Sequence, residues 1–301
     1  MRTIRVFAPA KINLTLHVTG QREDGYHLLD SLVTFAPVGD ELLMSPSGVS
    51  SLTVEGPEAR GVPADLDNLA LRAAMIVLRE GAAALTLDKR LPAASGIGGG
   101  SADAAAAVRG ALMLLDQDTQ DLLAYGDLSH LEIFRPIVEL GADVPMCLWP
   151  RPLRARGIGE VVRFAQVPPV AAVLVNPRVS VSTPQVFKGL TRRDNPPMPD
   201  ALPDFADAAS LISWLAEQRN DMQDAACAIA PAITDVLDAL AASPGCALAR
   251  MSGSGATCFG LFASQDDAMS AAAALGEAHP AWWVAGGSLG DQTARALPRR
   301  V

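Results

Sequence analysis

The chain has 301 residues, enough for about two domains, and half of them are apolar. Its formal net charge of -9 argues against a general nucleic-acid binder, which presents a basic face, and requires any anion site to be made positive locally. No apolar run approaches the ~20 residues that span a bilayer.

In chain order, residues 2–7 and 11–18 alternate as half-buried strands do. In the second segment Ile12, Leu14, Leu16 and Val18 share one face, and Lys11, Asn13, Thr15 and His17 share the other. Arg2, Arg5 and Lys11 interrupt this region, unlike the continuous apolar core of a signal peptide. Asp24-Gly25 marks a turn, residues 26–35 read as a strand, and short strands are expected at 40–45 and 52–55. Leu71, Met75 and Leu78 recur at helical spacing, with Asp65 or Asp67 as the candidate cap. A strand over 84–91 leads into a glycine cluster and then an alanine-rich helix over 101–115. A further helix is expected over 129–140, ended by Gly141 and kinked or divided by Pro136.

The stretch 150–169, with prolines at both ends, suggests a boundary between units 1–160 and 161–301. An apolar strand at 170–175 opens the second unit, and a Pro-rich irregular stretch spans 194–204. Helices are expected near 207–219, 222–241 and 266–275, and strands near 246–251 and 256–262. The order does not follow strict βαβ units, so the fold class is α+β. Cys147, Cys227, Cys246 and Cys258 form no C-x-x-C pair and have no histidine at metal-site spacing. They read as free thiols of a reducing, cytoplasmic compartment.

The segment LPAASGIGGGSADAA (91–105) lies between the expected strand and the alanine-rich helix. A helix N-terminus leaves backbone N–H groups unpaired and carries about half a positive charge. Glycines let the preceding loop bring those groups close to an anion, and phosphate suits such a site. Ser101 could cap the helix or touch the phosphates. The chain has only three lysines, and Ile12, Arg90 and Gly189 follow them, so there is no Gly-Lys-Ser/Thr phosphate loop. Counting from Gly96 or Gly98, the last position of G-x-G-x-x-G is Ser101 or Asp103. That fingerprint fails as well, which excludes a typical dinucleotide-binding dehydrogenase.

Seven segments in order carry a resemblance: APAKINLTLHV (8–18), DGYHLLDS (24–31), LPAASGIGGGSADAA (91–105), GADVP (141–145), GIGE (157–160), VSTPQVF (181–187) and RMSGSGATCFGLF (250–262). Together they resemble the GHMP small-molecule kinases. The resemblance implies an N-terminal ATP-binding domain over 1–160, like the second domain of ribosomal protein S5. It implies a ferredoxin-like, substrate-binding domain over 161–301, with the active site in the cleft between them. The implied reaction is ATP- and Mg²⁺-dependent phosphorylation of the 2-hydroxyl of a cytidine diphosphate-linked methylerythritol, in non-mevalonate isoprenoid synthesis. The implied partners are those small molecules alone, with no nucleic acid and no membrane, and the enzyme is a monomer or weak dimer.

Residue by residue, Lys11 and Asp143 match the family's catalytic pair. Lys11 would offset charge on the transferring phosphoryl group, and Asp143 would accept the proton of the attacking hydroxyl. Pro92, Ala93, Ala94, Ser95, Gly96, Ile97, Gly98, Gly99, Gly100, Ser101 and Ala102 match the ATP loop, with Lys89 and Asn68 as nucleotide-side contacts. Asn13, Tyr26, His27, Thr183 and Phe187 match the substrate side, where Phe187 would stack on the cytosine ring. A structural role is equally open for His27, and His17, His130 and His279 read as structural. Gly253, Ser254 and Gly255 match a wall near the phosphates.

Ala94, Ser95 and Ala102 depart from the family pattern, and Ala102 removes a hydroxyl beside Ser101. WPRPLRAR (149–156) lacks the expected small residues, and Gln223 ends Asn220-Asp221-Met222-Gln223 where an acid is usual. The sequence names no metal ligands. Alternatives are another GHMP kinase, acting on homoserine, a mevalonate-pathway alcohol or a sugar, and a non-catalytic sensor.

Overall fold

A computed structural model describes residues 3–116 and 134–301. Its first sheet contains β1 (Ile4–Asn13), β2 (His17–Gln21), β3 (His27–Pro46), β4 (Ser51–Glu55), β5 (Ala83–Asp88), β6 (Leu153–Gly157) and β7 (Val161–Phe164). Five strands run in the order β12-β1-β3-β5-β4, where β12 is the terminal pair Arg299–Arg300. Strands β2 and β6 also pair with β3, and β7 pairs with β6. Strand β3 is the spine of the sheet. The strands expected at 26–35 and 40–45 are parts of this one element. Pro9 pairs with Gly39 and Lys11 with Phe35, so Pro37 lies in a bulge of β3 opposite Ala10. A bulge tolerates a proline without a ladder donor.

The second sheet contains β8 (Val170–Asn176), β9 (Cys246–Met251), β10 (Cys258–Phe262) and β11 (Trp283–Leu289). They are antiparallel in the order β11-β8-β10-β9, with helices inserted between β8 and β9 and between β10 and β11. This is the ferredoxin-like order. Strand β8 alternates between two cores: Val173 and Val175 face one, and Ala172 and Leu174 the other. Both its faces are covered, so it reads as a continuous apolar run.

The helices are α1 (Leu69–Leu78), α2 (Gly99–Leu114), α3 (Phe134–Leu140), α4 (Val144–Leu148), α5 (Thr183–Gly189), α6 (Ala208–Ala216), α7 (Gln223–Ile229), α8 (Ala232–Ala242), α9 (Gln265–Ala278) and α10 (Thr293–Ala296). Four layers result. Helices α1 and α2 pack on one face of the first sheet, the two sheets enclose a shared core, and α8 and α9 cover the second sheet. The shared core joins Ala10, Ile12, Leu14 and Leu32 to Leu174, Phe259 and Leu261. Truncating a buried Phe such as Phe259 costs ~3–5 kcal/mol. Among the described residues no helix is long and apolar enough to cross a membrane.

Several expectations are corrected. Asn68, not Asp65 or Asp67, caps α1: its Oδ1 accepts the Ala70 N–H at 2.9 Å. The single helix expected over 222–241 is two, because Pro231 cannot continue the first turn-by-turn ladder and instead caps α8. The hairpin β6–β7 belongs to the first sheet, so the 160/161 division cuts through it and the second sheet opens at Val170. The part of the 129–140 helix before residue 134 lies outside the described residues, as does His130.

Candidate active site

A cleft of about 530 Å³ lies where the two sheets, the glycine loop and α4 meet. Past the point where β3 bulges opposite β1, Lys11 and Asn13 point into it while Ile12 enters the shared core. Lys11 is buried, and its Nζ donates to Asn13 Oδ1 at 2.9 Å and lies 3.0 Å from Asp143 Oδ2. The Asp143 carboxylate is 40% exposed. Asp143 stands at the N-cap position of α4, yet its side chain makes no capping bond. It is therefore free to reach Lys11 and keeps solvent access.

Asn13 is oriented by its neighbours. Its Nδ2 donates to Ser31 Oγ at 2.8 Å, and Ser31 Oγ donates to Thr15 O at 2.5 Å. That fixes the amide oxygen toward Lys11. The Asn13 N–H donates to Ser252 Oγ at 3.0 Å, and Ser252 Oγ donates to Gly96 O at 3.1 Å. One buried hydroxyl thus ties the lysine strand to the glycine loop.

The loop itself is shaped by glycines at positive φ, with 73° at Gly96 and 65° at Gly98. A β-carbon on Gly96 would sit 2.5 Å from Ser252 O, and one on Gly253 would sit 2.7 Å from Gly96 O. A β-carbon on Gly98 would lie 3.1 Å from Lys11 Cε. Close approach of two backbones and a lysine stem thus excludes side chains here. Gly98 caps α2 without a side chain, and among the described residues the N–H groups of Gly99, Gly100 and Ser101 have no backbone acceptor. Three amides and the positive end of the longest helix dipole in the described chain therefore face the cleft beside Lys11.

On the other side, the rings of His27 and Phe187 stack with centroids 4.3 Å apart and 12° between planes. A base must take an outer face of this pair or part the two rings. Burial, then the Arg193 guanidinium, lower the His27 pKa from its ordinary value, so its ring is neutral at pH 7. Its Nε2 is buried with no partner among the described residues. Tyr26 is exposed at the hairpin tip, and Thr183 Oγ1 lies 2.7 Å from Ser254 Oγ.

The cleft therefore gathers Lys11, Asp143, Asn13, Tyr26, His27, Thr183, Phe187, Gly253, Ser254 and the loop residues Ala94, Ser95, Gly96, Gly98, Gly99, Gly100 and Ser101. It does not gather Pro92, Ala93, Ile97, Ala102, Gly255, Asn68 or Lys89. Ile97 and Ala102 point into the core, so the hydroxyl missing at Ala102 is not lost from the cleft. Gly255 is turned toward Met251 and Ile233. Asn68 spends its amide on the helix cap and on Pro63 O. Lys89 is buried between Asp40 and Asp103.

Sequence reasoning missed Ser31, Met146, Ile158 and Ser252, the last of which sits behind the cleft wall. Ser31, Ile158 and Ser252 lie inside quoted segments, where a closer reading of each position could have found them. The departures have local reasons. Arg154, within WPRPLRAR, forms a two-pronged ion pair with Asp30 at 2.5 and 2.7 Å. Gln223 Oε1 accepts the Met251 N–H at 2.9 Å, and Asn220 Nδ2 donates to Met251 O and Gly253 O. That turn holds the Gly253 wall.

Comparison with known proteins is consistent across the chain. Residues 68–151 match the family "GHMP kinases N terminal domain" and residues 199–281 match "GHMP kinases C terminal". A 4-diphosphocytidyl-2-C-methyl-D-erythritol kinase of Roseobacter denitrificans is 52% identical over 299 residues, covering 99% of this chain and 97% of that protein. One from Cereibacter sphaeroides is 55% identical over 281 residues, covering 93% and 96%. A crystal structure of 4-(cytidine 5'-diphospho)-2C-methyl-D-erythritol kinase superposes with a TM-score of 0.71 at 34% identity, covering 95% of this chain and 99% of that one. A homoserine kinase from Cytophaga hutchinsonii, at 21% identity and a TM-score of 0.67, shares the fold.

Proposed function

The chain belongs to the GHMP kinases, among the 4-diphosphocytidyl-2-C-methyl-D-erythritol kinases, and we propose that it transfers the γ-phosphoryl group of ATP to the 2-hydroxyl of that cytidine-linked alcohol. The observation that carries this reading is the Lys11–Asp143 pair, 3.0 Å apart beside three unpaired amides. The amides of residues 99–101 receive the polyphosphate. Lys11 lies where charge builds on the transferring group, and Asn13 keeps its ammonium aimed there. Asp143, half in water, accepts the proton of the attacking hydroxyl and orients its oxygen. Phe187, His27 and Tyr26 take the cytosine end by stacking and hydrogen bonding.

Among the described residues no group of three or more His, Cys, Asp or Glu side chains is placed to hold a metal ion. Asp143 is the one carboxylate among the lining residues, and Lys11 engages it. The donor set does not form a protein cage, so Mg²⁺ would arrive on the nucleotide, held by phosphate oxygens and water. We place the enzyme in the cytoplasm, as a monomer or weak dimer, in non-mevalonate isoprenoid synthesis. Its four cysteines are free thiols, in keeping with a reducing compartment.

The test is ADP release with 4-diphosphocytidyl-2-C-methyl-D-erythritol, run beside homoserine, mevalonate and galactose. Turnover with the first alone is expected. Faster turnover with any of the others would overturn the substrate assignment, and ADP from none would leave a binding protein of the same fold.

A further inference from the structure

Behind the glycine loop, out of reach of the cleft, lies a closed ion cluster. Lys89 Nζ donates to Asp40 Oδ2, and to Asp103 Oδ2 at 2.7 Å. All three side chains are buried. The other oxygen of Asp40 accepts the N–H groups of Arg90 at 2.6 Å and Leu91 at 2.9 Å. Those two residues enter the glycine loop. Asp103 lies in the second turn of α2, and a helical side chain leans toward its N-terminus, so its carboxylate sits beneath the first turn. Lys89 Nζ lies 3.6 Å from the point where a β-carbon on Gly99 would be. Both ends of the loop, its strand exit and its helix start, are therefore bound to one ammonium.

Resting on the function proposed above, we propose that Lys89, Asp40 and Asp103 are positioning residues that hold the amides of Gly99, Gly100 and Ser101 in the geometry that receives the nucleotide, without touching it. The Thr257 and Lys11 N–H groups hold the Ser95 and Ile97 carbonyls from the cleft side, whereas Ala93 and Ala94 are exposed and Ala94 takes a φ of 47°. A loop of glycines gains no rigidity from its own side chains, so its geometry must be supplied by what it is bonded to.

The charge balance adds a second consequence. Two carboxylates face one ammonium, and Asp103 Oδ1 has no partner among the described residues. Burial raises Asp103 to about 8, with Lys89 opposing and Asp40 reinforcing the rise. Burial disfavours the charge on Lys89, but Asp103 and Asp40 outweigh it. Near neutrality Asp103 thus holds a proton and the cluster is uncharged. Above that range it loses the proton and places a net negative charge under amides that must grip an anion.

The surrounding groups do not cancel this charge. Arg90 turns outward to Asp88, and Glu41 lies near the exposed Arg5. Arg72 on α1 is exposed. Glu58, over the Lys89 carbonyl, pairs with Arg178. Lys11 is committed to Asp143 and Asn13, and Arg109 to the carbonyls of Phe7, Cys147, Leu148 and Ala296. Burial raises the Cys147 thiol to about 12, so it stays neutral.

Asp103→Asn and Lys89→Met, each checked for folding by circular dichroism, are compared with the unmodified enzyme. The readouts are kcat, KM for ATP and KM for the alcohol, from about pH 7 to about pH 9. In the unmodified enzyme KM for ATP is expected to rise across that range, and Asp103→Asn is expected to abolish the rise. Lys89→Met should raise KM for ATP by about tenfold or more, through a displaced loop, with a smaller change in KM for the alcohol. Should Lys89→Met fail to fold, the pH profile of Asp103→Asn decides alone. A folded Lys89→Met with unchanged KM for ATP, or an Asp103→Asn profile that matches the unmodified enzyme, overturns the proposal. Absence of ADP release from the unmodified enzyme would instead overturn the function on which it rests.

Discussion

Lys11 and Lys89 are equally buried, at 3% exposure each, and both pair with carboxylates, yet their surroundings differ. Around Lys11 there is one carboxylate, itself 40% exposed, and one amide oxygen. Around Lys89 there are two carboxylates, both buried. The first ammonium can exchange part of its company for an incoming phosphoryl oxygen. The second cannot, because releasing Asp40 would strand two buried charges. The number and exposure of the partners, not burial, separate a lysine poised for chemistry from one that braces the fold.

The largest way to break that contrast is at the open end. Asp143→Asn keeps the shape of the side chain, removes the base and removes the charge facing Lys11. Turnover is expected to fall ~10²–10⁴-fold, with KM for ATP changed much less. A near-normal kcat would make Asp143 an ornament of the cleft and leave Lys11 no different in kind from Lys89.

Between the two ammonium groups lies the glycine loop, and Gly96→Ala tests it. The new β-carbon would collide with Ser252 O and with Gly255 N, 2.5 and 2.7 Å away, at a φ of 73°. Backbone cannot give way as a flexible side chain can. A stability loss of ~1–3 kcal/mol is expected from thermal unfolding, with KM for ATP raised. An unchanged melting temperature and an unchanged KM would mean that the loop relaxes freely and that neither ammonium depends on its shape.

Phe187→Ala sharpens the comparison from outside, since Phe187 touches neither lysine. Losing one stacked ring should weaken binding of the cytidine-linked alcohol by ~1–3 kcal/mol, while ATP affinity measured by calorimetry stays put. Equal losses for both ligands would place the ring on the nucleotide side.

These contrasts were unevenly legible in the sequence. Lys11 and Asp143 stand in quoted segments, and the free amides follow from the glycines that precede an alanine-rich helix. The partners of Lys89 were not readable. Asp40 and Asp103 share no period with it, and only the fold of β3 and α2 against β5 brings them together. Lys89 therefore read as a nucleotide contact. Pro37 and Gly39 are local breakers between the strands expected at 26–35 and 40–45, and only the bulge that β3 makes opposite Ala10 shows why they fit. Strand β11 was missed because Gly286 and Gly287 dilute its apolar pattern; a β-carbon on Gly287 would lie 2.3 Å from Pro37 of the facing sheet. Hairpin β6–β7 read as part of a domain boundary because prolines flank it, yet its Arg154 meets Asp30 of β3.

The smallest effect is expected at Ser252, and it is the most discriminating. Its hydroxyl accepts from Asn13 N and donates to Gly96 O, so it links the Lys11 strand to the loop that the Lys89 cluster braces from behind. Ser252→Ala leaves no new bulk and no buried charge, only one N–H and one carbonyl short of a partner. A loss of about 1 kcal/mol in stability is expected. If the loop is held mainly from the Lys89 side, KM for ATP will barely move, and the cost will appear in kcat through a less well-aimed Lys11. If KM for ATP rises instead and kcat holds, the hydroxyl rather than the ion cluster sets the amide geometry. The two lysines would then be coupled through this one bond rather than independently anchored.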